Sequence, residues 1–302
     1  ELISPGNHRG FAIMPWLLRV EGLLIAATFI CAALHPARAE PRDVCARATF
    51  RAVIDVGHTA ESPGATSARG VPEFSFNLDL ARRIERQLLA TGFKRSVLLL
   101  TEGPSRKALA ERIKRANALG PDLFLSIHHD SVPDKFLEKW EFDGVQRGFC
   151  DRFSGHSIFI SYDNSDLPGS LLFARMLGSQ LQKRGLKYTP HYTDRNMGHR
   201  QRLLVDPQTG VYRYDQLLVL RDTSMPAVLL EAGSIINREE ELRMGSVEQQ
   251  SLISAAVVDA VQSFCAARGA RTPPEVATRN GAVSKQAKAP AAAAPVRTVK
   301  QR

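Results

Sequence analysis

The chain has 302 residues, with 40 Lys+Arg against 31 Asp+Glu, a net charge of +9, 44% hydrophobic residues and four cysteines. This excludes a collagen, a cysteine-dense mini-scaffold and a fully disordered acidic chain, and it leaves room for one large domain or two smaller ones. The charge is concentrated at the end: residues 268–302 carry +7 and residues 1–39 carry +1, so residues 40–267 are nearly neutral at +1. A basic face for nucleic acid is therefore not expected.

Taken in chain order, Met14 precedes Arg19, an uncharged apolar stretch over residues 22–34, and Ala37-Arg38-Ala39. This is the pattern of an export signal cleaved after Ala39. About 13 apolar residues fall short of the ~20 that span a bilayer, so no stable membrane insertion is expected once the signal is removed. Residues 1–13 lack signal character, and Cys31 would leave with the signal. The division expected is 1–39 for upstream residues and signal, 40–267 for one folded domain, and 268–302 for a disordered basic Ala/Pro/Lys tail.

The β-branched run at Arg51–Val56 reads as a buried strand. Phe76, Leu80, Ile84 and Leu88 then repeat every four residues along a helix over 73–90, with Gly92 after it. Ser96–Thr101 reads as a strand, and Ser105 as the cap of a helix ending at Gly120. Asp122–Ile127 and Ser157–Ser161 read as strands, and Pro168 as the opening of a helix to Gly185. Gln216–Leu220 and Ala227–Glu231 read as strands, and residues 247–266 as a final helix. Alternation of this kind predicts an α/β single domain, a twisted mostly parallel sheet of about six strands with helices on both faces. The connections 130–156 and 187–215 are long enough to carry function. Export would leave Cys45, Cys150 and Cys265 in an oxidising compartment. Cys45 before the first strand and Cys265 at the end of the last helix come to the same sheet edge, so a Cys45–Cys265 disulfide is expected.

Residues with chemistry collect at the C-terminal ends of strands, where open α/β sheets bind ligands. His58 follows the first strand across Gly57, His128 ends the third, Glu231 ends the last, and Glu73 opens the first helix. Two imidazoles and a carboxylate match a hydrolytic zinc site with an open position, and Glu231 is the candidate acid/base. Taken singly, each has a plainer reading: a hydrogen-bonded structural histidine, a carboxylate complementing the helix dipole, or Glu231 paired with Arg221. His129 is expected to face away from His128. Possible substrate contacts are Arg221, His156 and His129, with His191 and His199 further candidates for the groove.

Five blocks, Val53–His58, Gly70–Glu73 with Asn77-Leu78, Leu109–Asn117, Asp122–His128, and Val219–Arg221 through Pro226–Gly233 to Asn237, resemble the zinc-dependent N-acetylmuramoyl-L-alanine amidases of the Amidase_3 type. The resemblance spans about residues 51–265. It implies a zinc cofactor on His58, Glu73 and His128, an acid/base at Glu231, and cleavage of the amide joining N-acetylmuramic acid to L-alanine. It also implies peptidoglycan as substrate, a periplasmic location and a possible activator protein. Some such amidases carry an inserted helix over the zinc, but neither long connection reads as an amphipathic helix. Two positions depart from the family pattern: Glu102 stands where Arg is frequent, and Ser234 where Phe is frequent. Competing readings are another periplasmic zinc amidohydrolase (a peptidase or sugar deacetylase) and a non-catalytic peptidoglycan-binding module.

Overall fold

The structure, a computed structural model, describes residues 45–269. The expected signal lies outside the described residues, as does the expected basic tail from residue 270 on; its first two residues, Arg268 and Gly269, instead close α6, with Arg268 paired to Asp166 at 2.9 Å. In chain order the elements are β1 (Ala52–Val56), α1 (Glu73–Ala90), β2 (Val97–Leu99), α2 (Ser105–Leu119), β3 (Leu123–Asp130), β4 (Glu138–Phe142), β5 (Val145–Phe149), β6 (Ser157–Ile160), α3 (Leu167–Lys183), β7 (Leu203–Asp206), β8 (Val211–Arg213), α4 (Leu218–Arg221), β9 (Ala227–Ser234), α5 (Arg238–Gly245) and α6 (Val247–Gly269).

Among the described residues, seven strands form one sheet in the order β2-β1-β3-β9-β6-β8-β7, and β4 and β5 form a separate hairpin. β2, β1, β3 and β9 run parallel, whereas β6 is antiparallel to β9 and β7 to β8. β1 is buried along its whole length, as parallel strands covered on both faces must be. Successive side chains alternate between two cores. Ile54, Leu125, Ile127, Val228 and Leu230 pack under Leu80, Ile84, Leu177, Val257 and Phe264 from α1, α3 and α6. Val53, Phe124 and Leu229 pack under Ala116, Val219 and Leu220 from α2 and α4.

Cys45 and Cys265 form a disulfide with a Cα–Cα distance of 5.0 Å, joining the segment before β1 to α6. The loop it closes spans 220 residues, a large constraint on the unfolded chain. Cys150 is free and buried.

Several expectations are corrected. The sheet has seven strands rather than about six, because the connection 187–215 contributes β7 and β8. Gln216–Leu220 is not a strand: Leu217 C=O accepts from the N–H of both Leu220 and Arg221, closing the helical turn α4. A run of four apolar residues does not separate strand from helix by itself. Ser105 is the first helical residue rather than the cap, Pro104 holds the N-cap position, and the Ser105 N–H donates to Ser62 Oγ at 3.0 Å. α5 was not anticipated; Asn237 caps it by accepting from the N–H groups of Glu239 and Glu240.

His156 does not line a groove. It is buried, with its N–H donating to Lys187 O at 3.1 Å and its carbonyl accepting from Thr189 N–H at 2.9 Å. Burial lowers its imidazole to about 4, weakly opposed by the Lys187 carbonyl. The ring is thus neutral in the folded protein, while the unfolded chain protonates near 6.5. Its contribution to stability is complete above pH ~6.5 and is lost as pH falls through 4, amounting to about 3 kcal/mol. In denaturant titrations from pH 7 to 4, His156→Gln is expected to lose less stability on acidification than the parent by this amount; parallel pH curves would contradict the assignment.

Candidate active site

β1 delivers the chain to Gly57 and then to His58, whose φ of 67° is left-handed. For a non-glycine residue that conformation costs about 1–2 kcal/mol. It is held from behind by Arg112 of α2, whose guanidinium donates to the carbonyls of Val56 and His58, both at 2.8 Å, and to Thr101 Oγ1 at 3.0 Å. Arg112 is fixed by a buried ion pair with Asp55, Nε to Oδ1 at 2.6 Å, and Ser126 Oγ donates to the other Asp55 oxygen at 2.6 Å. Residues of β1, α2 and β3 therefore fix the backbone that aims His58.

Glu73, the first residue of α1, receives both histidines. His58 Nε2 lies 3.0 Å from Oε2 and His128 Nδ1 lies 3.0 Å from Oε1. Ala65 N–H donates to Oε2 at 3.1 Å, and Asn77 Nδ2 and His129 N–H donate to Oε1 at 3.1 and 3.3 Å. Burial pushes this carboxyl up, but the hydrogen bonds and charges of His128 and His58 outweigh burial and hold it well below the usual range. One ligand atom from each of His58, Glu73 and His128 lies within 4.8 Å of the others. The approach depends on two glycines. A Cβ on Gly57 would overlap the His128 ring; one on Gly64, at φ +78°, would lie 2.5 Å from Glu73 Oε2.

Glu231 stands on β9 directly across from His128 in the parallel pairing. Paired residues of neighbouring strands project to the same face. Its Oε2 is buried and has no hydrogen-bond partner among the described residues. Burial pushes the carboxyl well above the ordinary range, the negative charges of Asp130 and Glu73 push it further, and Arg200 pulls it back. Around it lies a group of which sequence reasoning named only His191, as a candidate for the groove. Asp130 pairs with Arg200 at 2.9 Å and with His191 at 3.3 Å, and Arg200 also donates to the Tyr192 hydroxyl at 3.2 Å. Asp130 two residues beyond His128 was a readable signal, but Arg200 arrives from the long connection 187–215 and carries no local pattern.

The other expected contacts separate from this centre. His129 is buried, turned to the α1 side as strand alternation requires, with Nδ1 2.8 Å from Asn77 Oδ1 and its ring 5.6 Å from that of Phe76. Burial lowers it to about 4. It braces Asn77 rather than meeting a substrate. Arg221 is exposed and pairs with its neighbour Asp222 at 2.7 Å, not with Glu231, because the α4 turn carries it to the surface. His191 is buried and His199 exposed. A cleft of about 330 Å³ opens over His58 and His128, walled by Thr59, Leu109, Leu217 and Leu218.

Asn77 joins these parts, donating to Glu73 and to Gly57 O at 3.2 Å while bonding His129. Asn77→Leu is expected to cost about 1–3 kcal/mol by leaving buried polar groups unpaired. It is also expected to weaken binding of a divalent ion at the His-Glu-His group by about 10- to 100-fold. Denaturant unfolding and calorimetric titration with zinc check the two effects; unchanged ion affinity would show that Asn77 does not orient Glu73.

A family model described as N-acetylmuramoyl-L-alanine amidase matches residues 52–263. The amidase Rv3717 of Mycobacterium tuberculosis is 24% identical over 271 residues, covering 83% of this chain and 98% of its own. The solved structure of the amidase Ami1 from Mycobacterium smegmatis has the same fold, with a TM-score of 0.54, 20% identity and coverage of 73% of this chain and 98% of that one. The CwlD amidase of Clostridioides difficile, solved in complex with the GerS lipoprotein, has a TM-score of 0.50 at 18% identity and covers 71% of this chain and 98% of its own. A match that runs from the first strand into the last helix, and takes in His58, Glu73, His128 and Glu231, places this chain in the N-acetylmuramoyl-L-alanine amidase family of the Amidase_3 type, enzymes that hydrolyse peptidoglycan.

Proposed function

We propose that this amidase works through a zinc ion held by His58, Glu73 and His128, with Glu231 as its acid/base. The donor set supports zinc: two imidazole nitrogens and one carboxylate oxygen are ligands zinc takes at about 2.0–2.2 Å, and three protein ligands keep a fourth position for the reaction. Gly57 and Gly64 remove the carbons that would crowd these donors, which suits a site shaped around a small ion. When bound, zinc supplies Lewis acidity, polarising the scissile carbonyl and lowering the pKa of water.

The rest of the chemistry belongs to the chain. The scissile bond is the amide between the lactyl group of N-acetylmuramic acid and L-alanine. Its hydrolysis needs a group that accepts a proton from the attacking water and returns one to the departing nitrogen. Glu231 is suited to both steps, because burial beside Asp130 and Glu73 raises its proton affinity above that of an ordinary carboxylate. Its Oε2 has no hydrogen-bond partner among the described residues, so its lone pairs are not committed to the protein. Arg200 opposes the accumulated negative charge and keeps the ionised form within reach. The observation that carries the reading is the convergence of His58, Glu73 and His128 with Glu231, which stands across the strand from His128 and whose buried Oε2 has no hydrogen-bond partner among the described residues.

We place the enzyme in the periplasm, on the signal-like segment before Glu40 and on the Cys45–Cys265 disulfide, which fits an oxidising compartment. The CwlD–GerS complex motivates testing whether this chain also binds a partner protein.

Glu231→Gln is expected to retain one zinc per chain and lose about 10²–10⁴-fold in turnover. His58→Ala and His128→Ala are expected to lose both metal and activity. Elemental analysis reads the metal. Mass spectrometry of digested muropeptides reads the bond, since this amidase releases stem peptides that begin with L-alanine. An active Glu231→Gln enzyme would refute the acid/base role, and products cut elsewhere would refute the bond. Removing the metal with a chelator should abolish turnover and added zinc restore it.

A further inference from the structure

A second cleft, of about 430 Å³, lies between the β4–β5 hairpin and the loop from β1 to α1, lined among others by Thr66, Ser131, Asp134, Gln146 and Arg147. It borders the catalytic group on two sides. Ala65, also in its wall, donates its N–H to Glu73 Oε2, and Ser131 stands three residues after His128.

Arg147 is the unusual member. The β4–β5 pairing sets it opposite Trp140, on the hairpin face turned to the loop, where Trp140 Nε1 donates to Ala68 O at 3.0 Å. Its guanidinium lies flat on Gly70, at φ +91°, where any Cβ would collide with it. Yet Arg147 is half-buried, its Nε is shielded from solvent, and it makes no hydrogen bond or ion pair among the described residues. Every other arginine near the centre is committed: Arg112 to Asp55, Arg200 to Asp130, Arg69 to Glu241 and Arg238 to Asp151. A partly desolvated guanidinium without a counter-ion is costly, and its planar fork matches a carboxylate. The Thr66 and Ser131 hydroxyls and the Gln146 amide add donors whose side chains have no hydrogen-bond partner among the described residues. Asp134, the acid in the lining, is exposed at the rim, where solvent screens it.

We infer that this cleft is a subsite for a carboxylate of the stem peptide, with Arg147 as the residue that binds it and makes the enzyme prefer stems whose carboxyl groups are free over stems in which they are amidated. The inference rests on the amidase reading above. The cleft over His58 and His128 is unsuited to this task, since its walls are largely apolar and its arginine, Arg112, is held by Asp55. The peptide thus leaves the centre along the hairpin.

The test compares two soluble muropeptide preparations, one with free stem carboxylates and the same material converted to carboxamides, hydrolysed by the zinc-loaded full chain. The wild type is expected to favour the free acid in kcat/KM by about 10- to 100-fold, the range of a charge-assisted hydrogen-bonded contact. Arg147→Gln is expected to bring the acid-to-amide ratio towards one through a rise in KM, and Arg147→Lys to recover part of it. As the hairpin packs through Arg147, Thr66→Val and Ser131→Ala provide a check outside it, each lowering the ratio several-fold. A wild type that cleaves both preparations equally, or an Arg147→Gln that slows both by one factor, overturns the subsite and leaves the amidase reading standing. A wild type that cleaves neither overturns that reading and the subsite with it.

Discussion

The buried carboxylate of Glu73 is the point to which the site is built. A charge taken out of water must be compensated by partners, and leaving such a group unpaired costs several kcal/mol. Its partners come from four places: His58 after β1, Ala65 from the loop, Asn77 one turn further along α1, and His128 with the His129 N–H from β3. Satisfying that one group brings distant stretches of chain together. The same requirement creates the centre, because the two imidazoles that compensate the carboxylate leave three ligand atoms facing one small volume. Structural compensation and the proposed metal ligation are served by the same atoms.

That arrangement requires His58 to stay in a conformation it would not choose. The strain is local, of the order of 1–2 kcal/mol, and the compensation is remote. Arg112 grips the carbonyls on either side of Gly57, and Arg112 is held by Asp55, itself bonded to Ser126. Asp55 and Ser126 are paired across β1 and β3, so the sheet register transmits directly to His58. A chain of buried polar contacts of this kind has few alternatives, since breaking any link leaves a charge or a carbonyl unsatisfied.

What could be read from the chain follows the same division. Helix α1 was legible to the residue, because its buried face repeats every four positions and its partner is a broad apolar layer. The convergence of His58, Glu73 and His128 was legible because strand ends of a parallel sheet face one crevice. Arg221 and His156 misled because burial and pairing are properties of neighbours: α4 turns Arg221 outward, and the Lys187–Thr189 backbone encloses His156. The hairpin and β7–β8 were hidden for a related reason. Each strand is three to five residues long and is fixed by what it docks against, not by its own pattern. Asn77 lay inside a quoted motif, yet its role needs three dimensions, since its partners are 4, 20 and 52 residues away.

The hairpin also bears on how access is controlled. A lid must exchange between two packings of similar free energy, with few contacts to break. Here the docked face is clamped at several points. Arg69 sits over Trp140 and Phe142 at 5.4 and 5.5 Å, and Arg238 over Phe149 at 3.8 Å. Both arginines are themselves anchored, Arg69 to Glu241 at 2.8 Å and Arg238 to Asp151 at 2.5 Å. Glu241 in turn accepts from Ser67 Oγ at 2.5 Å, in the loop that leads to Glu73. Lifting the hairpin would therefore disturb α5, the loop and the carboxylate at the centre together. The consistent reading is a fixed wall, which shapes what enters the cleft beside the His-Glu-His group by its chemistry rather than by opening and closing.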